Sequence, residues 1–146
     1  MIDPAAPERT AAATAWFEAF AACVRAEDME GGRRLFDPDC ASFGARAERL
    51  IGVDDLVARQ WHPTWTSTRD FAAVPGTVAV ETAADGTVVV LTALWGSEGV
   101  QDDGSTFDRR GRCTIILRAD GAAPHGLRAV HSHFSLSPET GPPAEP

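Results

Sequence analysis

Near Arg69 the hydrophobic pattern of this 146-residue chain changes period, and that switch constrains the fold more than any single motif. Before it, Trp16, Phe17, Phe20, Cys23 and Val24 recur at i, i+1, i+4, i+7 and i+8, which places them on one helix face. The spacing predicts a helix from about Pro7 to Ala26. Pro7 and Glu8 suit its first turn, and the alanines between the aromatic residues favour helix. Asp28 can cap a short second helix ending near Leu35 and Phe36, weakened by Gly31 and Gly32. Phe36-Asp37-Pro38-Asp39 reads as a stop and turn, and Cys40 to Ala45 as a short strand. Gly52 and Asp54 open a third helix with Leu56, Val57, Gln60 and Trp61 on one side. Pro63 is expected to end or kink it at His62.

After Arg69 the chain reads as β: Phe71 to Thr82, Thr87 to Trp95, Phe107 to Arg118, and Gly126 to Leu136. Asp85-Gly86 is a hairpin signal between the first two runs, with longer turns between the others. Helices placed before an antiparallel meander predict an α+β domain. A curved sheet wrapped around the first helix would bury its aromatic stripe and leave a conical cavity open at one end.

Composition narrows the chemistry. A chain of this length fits one domain, and 44% apolar residues can supply its core. All 13 basic residues are Arg, so a Schiff-base lysine and a phosphate-loop lysine are excluded. The lack of Tyr removes a phenolic acid or oxyanion donor. A formal net charge of −8 argues against nucleic acid and against an anionic membrane surface as partners. Cys23, Cys40 and Cys113 have no paired spacing and read as free thiols in a reducing compartment. The acidic, proline-broken start is unlike a secretory signal, and the apolar stretch from Ala11 to Ala26 is too short and too charged to span a bilayer. The expected location is cytoplasmic.

Three strings carry a family resemblance. They are Ala26-Glu27-Asp28 with Leu35-Phe36-Asp37-Pro38-Asp39, then Gly52-Val53-Asp54-Asp55-Leu56, and finally Ala129-Val130-His131-Ser132-His133-Phe134-Ser135. In this order and spacing the chain resembles the nuclear transport factor 2-like superfamily, in particular its SnoaL-like branch. It also resembles the association domain of calcium/calmodulin-dependent kinase. The resemblance implies a cone-shaped (cystatin-like) curved antiparallel sheet around N-terminal helices. The resemblance covers a domain over residues 7–138; the segment at 1–6 is expected to be flexible, and the proline-rich composition of the tail at 139–146 predicts disorder. It does not carry over the mechanism of ketosteroid isomerase. That enzyme's Tyr, Asp base and second Asp fall at or near Phe20, Gly44, and Thr114 or Ile115, and none of those groups is present.

The candidate site residues follow from this reading. Trp16, Phe17, Phe20, Trp61, Trp65, Trp95 and Phe134 would either line a pocket for a flat apolar molecule or simply form core. Similarity to the kinase association branch places Ala93, Thr114 and Phe134 where that branch has pocket arginines. Period-two alternation adds Leu91, Trp95 and Ile116 to the inward face, giving an apolar pocket without anion-binding charges. His62, beside Trp61 at the expected cavity mouth, is the candidate general base; its alternative is a surface or cap histidine. His131 and His133 are expected on the outer sheet face as interface residues. A zinc pair completed by Cys113 is the alternative, and no metal site is assigned. Asp102, Asp103 and Asp108 with Arg109, Arg110 and Arg112 read as a solvated hairpin, with Arg112 as a minority candidate for a clamp at the pocket rim.

Two function classes stay open. One is a homodimeric protein binding a small, mostly apolar or aromatic molecule in its cone. As an enzyme it would be a cofactor-independent isomerase, cyclase or hydratase. The other is a non-catalytic dimerisation or self-association module. No cofactor is expected in either.

Overall fold

The first helix, α1 (Pro7–Ala26), has the bounds its periodicity predicts. Its buried face carries Ala13, Trp16, Phe17, Phe20, Ala21 and Val24. Glu27 ends it in the left-handed region at φ 53°, where its own N–H donates to Val24 and that of Asp28 donates to Cys23. Asp28 then caps α2 (Met29–Arg33) through the Gly31 N–H. The computed structural model describes residues 3–45 and 47–138. The expected tail at 139–146 lies outside them.

Eight strands form one curved, unclosed sheet: β1 (Asp3–Pro4), β2 (Phe36–Phe43), β3 (Leu50–Ile51), β4 (Thr68–Ala73), β5 (Ala79–Thr82), β6 (Val88–Val100), β7 (Thr106–Ala119) and β8 (Leu127–Leu136). β6 pairs with β7 along its whole length on one edge. On its other edge it pairs with β5 and then β4, end to end. The expected single run from Phe71 to Thr82 is therefore two strands, broken by a turn in which Thr77 Oγ1 donates to the carbonyl of Val74. The hairpin at Asp85-Gly86 is present, with Gly86 at φ 73° and the Asp85 carboxylate accepting from the Thr87 N–H.

Two further expectations are corrected. The sheet is mixed, because β2 runs parallel to β8. Phe36 to Asp39 begins β2 instead of turning; the ladder shifts between Phe36 and Ala41, so Pro38 sits at an irregularity where its missing N–H is tolerated. At the other edge of the sheet, Asp3 and Pro4 pair with Thr82 and Glu81. The parallel pairing of β2 and β8 is fastened from inside by a 2.7 Å hydrogen bond between the buried hydroxyls of Ser42 and Ser132.

The third helical segment continues past its proline. α3 (Val53–Leu56) passes into a π-helical turn (Val57–Trp61) and then α4 (His62–Trp65). The His62 N–H reaches back to the carbonyl of Val57, so the wider turn carries the helix into Pro63, which has no N–H to give. That turn brings Trp61 and Trp65 onto one side, stacked at 4.6 Å. Both rings lie against Gly32 of α2, where a Cβ would come within 2.7 Å of Trp61.

Candidate functional site

The concave face of the sheet and the buried face of α1 enclose an aromatic cluster centred on Phe20. Its ring lies 5.6–6.2 Å from those of Trp16, Phe36, Trp61, Trp65, Phe71 and Phe134. Part of this cluster is solid core. Trp16 donates Nε1–H to the carbonyl of Leu35 at 3.1 Å, and Phe17 and Leu91 are buried without lining the cavity described next. The rest opens on a cavity of about 50 Å³, where Phe20, Trp61, Trp65, Phe71, Trp95 and Phe134 supply the aromatic wall.

The same cavity has a polar wall of Gln60, Thr68, Ser97 and Arg109. Arg109 is only 5% exposed, and its Nη1 donates to Thr68 Oγ1 at 3.2 Å. The Ser97 hydroxyl donates to the backbone carbonyl of Arg109 at 3.3 Å. Nε1 of Trp95 and Oε1 of Gln60 are buried with no hydrogen-bond partner among the described residues. Gln60 also borders an outer groove formed with Ala47, Glu48, Arg59, Pro63 and Thr64, so its side chain separates cavity from groove.

Strand register decides which expected residues reach this site. Leu91, Ala93 and Trp95 of β6 lie opposite Ile115, Cys113 and Gly111 of β7, and Ser97 lies opposite Arg109. The odd-numbered residues of β7 from 109 to 117 are therefore the buried, inward ones. Thr114 and Ile116, expected in the pocket, face outward opposite His133 and His131. The expected apolar, charge-free pocket is corrected by the same register, because Arg109 lines the cavity. Arg112 points to the outer face instead, where its Nε–H donates to Ser135 Oγ.

Other candidates separate similarly. Phe20, Trp61, Trp65, Trp95 and Phe134 line the cavity. His62 is exposed and does not line this cavity. His131 and His133 lie on the outer face, with the Phe43 ring 6.0 and 5.3 Å away. Cys113 lies on the inner face opposite Phe134 and cannot join them, which removes the proposed third metal ligand. Burial pushes the Cys113 thiol up to about 12. Gln60, Thr68, Ser97 and Arg109 were missed as site residues.

The SnoaL-like domain family matches residues 13–139. The chain belongs to that family. The fold of this SnoaL-like domain is also found in solved structures. A nuclear transport factor 2-like superfamily protein from Salmonella enterica serovar Typhimurium is 19% identical, with a TM-score of 0.75 over 91% of this chain and 94% of that one. The calcium/calmodulin-dependent kinase II hub of S. rosetta is 22% identical, with a TM-score of 0.71 over 92% and 99%. A ketosteroid isomerase-like protein from Erwinia carotovora atroseptica is 15% identical, with a TM-score of 0.75 over 91% and 100%. At these identities the likeness is one of fold. No curated protein matches this SnoaL-like chain in sequence, and among its described residues no helix is long and apolar enough to cross a membrane.

Proposed function

We propose that this SnoaL-like domain binds a small, mostly apolar molecule in its cone cavity. The observation that carries the reading is one cavity lined both by an aromatic cage and by the polar side chains of Gln60, Thr68, Ser97 and Arg109. An apolar cavity with a few convergent polar groups is the general form of a small-molecule site. The cavity is far below the ~150 Å³ that admits benzene in an engineered core. A ring therefore enters only when a cage side chain moves aside, and a single ring demands the least displacement.

The lining residues support binding more directly than proton transfer. No Asp, Glu or His lines the cavity among the described residues, and Gln, Thr, Ser and Arg do not titrate near neutral pH. An isomerase, cyclase or hydratase role would need a base brought by the substrate or from elsewhere. A thermal-shift screen of single-ring and fused-ring compounds tests the reading. Single-ring ligands are expected to raise Tm, by a stability gain of about 2.7 kcal/mol at a hundredfold excess over Kd. Failure of every single-ring compound to do so would contradict it. His62→Ala is expected to leave the response unchanged.

A second observation favours self-association. On the outer sheet face Leu94 is 49% exposed and Phe43 38% exposed, and His131 and His133 lie beside Phe43. We infer a homodimer through this face. Light scattering should give twice the monomer mass at micromolar concentration, and Leu94→Glu should halve it. A monomeric wild-type protein would overturn this reading.

A further inference from the structure

We propose that the molecule taken by the cone is a monocyclic phenol, its ring in the aromatic cage and its hydroxyl between Trp95 and Gln60. This rests on the reading of the cone as a ligand cavity and adds the chemistry of the ligand's polar end. Nε1–H of Trp95 is a buried donor and Oε1 of Gln60 a buried acceptor, neither with a partner among the described residues. Both side chains line the same cavity. Buried polar groups are nearly always paired, and leaving them unpaired is costly.

One orphan donor and one orphan acceptor are complemented by a group that is both. A hydroxyl does this with a single oxygen, accepting from the indole and donating to the amide. A carboxylate would satisfy the indole and set oxygen against oxygen at Gln60. A hydrocarbon would satisfy neither. The cavity, about 50 Å³, is smaller than one ring, so the smallest aromatic ligand demands the least displacement of the cage. Trp95 is 4% exposed, so its N–H is screened from competing solvent and can discriminate between ligands.

The test compares phenol, benzene and benzoate by isothermal titration at pH 7, using the full chain, Trp95→Phe and Gln60→Leu. Phenol should bind the wild type about tenfold more tightly than benzene. In both variants the phenol–benzene gap should collapse while benzene affinity changes little. Equal affinity for phenol and benzene in the wild type would overturn the proposal and leave the cavity reading standing. So would tighter binding of benzoate than of phenol, which a wall of donors alone would favour. An unchanged gap in a folded variant would also overturn it. If Trp95→Phe does not fold, Gln60→Leu at the half-buried mouth carries the test. Binding of none of the three molecules would overturn the cavity reading as well.

Discussion

Trp95 of β6 covers Gly111 of β7: the two are cross-strand partners, and a Cβ at 111 would overlap Cζ2 of the indole and the backbone carbonyl of Ser135. Glycine at 111 is therefore what lets the ring lie on the sheet at the cavity wall. Gly111→Ala forces either the indole or the β7–β8 ladder to shift, at an expected cost of about 1–3 kcal/mol. Urea unfolding measures it, and a loss under about 0.5 kcal/mol would show that the close approach is not maintained.

Glu27 ends α1 at φ 53° and ψ 36°, a conformation that favours glycine. Its carboxylate is also at the helix C-terminus, where the dipole disfavours negative charge. Glu27→Gly is expected to stabilise the protein by about 0.5–1 kcal/mol. This should appear as a higher Tm by thermal unfolding, and a lower Tm would contradict it.

The buried Cys113 thiol gives a pH dependence with a definite sign. Burial raises its pKa to about 12 in the folded protein, against roughly 8.5 in an unfolded chain. The neutral thiol is preferred by the fold, so its contribution is complete below about pH 8.5. Above that the unfolded state binds fewer protons, and stability falls by ~1.4 kcal/mol per pH unit until the folded thiol itself titrates. Urea midpoints from pH 7 to 10 should fall more steeply for wild type than for Cys113→Ala. Parallel slopes would contradict the account.

The helical half and the order of elements were legible because they rest on local periodicity: Pro7 to Ala26 emerges with its predicted bounds. The parallel pairing of β2 with β8 was not, since it joins residues about ninety positions apart, such as Ser42 and Ser132. The inward face of β7 was misread by one residue, and such a slip turns every side chain over. A signal was present: Cys113, Ile115 and Leu117 make a more apolar set than Arg112, Thr114, Ile116 and Arg118. Arg109 was hidden for another reason. Within a run of charges it reads as solvated, and only its register opposite Ser97 brings it inside. His62 was misplaced by a single helical step from Trp61, enough to move it from a buried face to solvent.

The central claim, that the cone admits a single-ring ligand against Trp95, is tested most directly by the indole N–H resonances during a phenol titration. Trp16 provides an internal reference, because its Nε1–H is already bonded to Leu35 inside solid core. The peak assigned to Trp95 by its loss in Trp95→Phe should move saturably while that of Trp16 stays in place. If the Trp95 peak does not move, or moves only in step with Trp16, the cone is a packed core and the account is wrong.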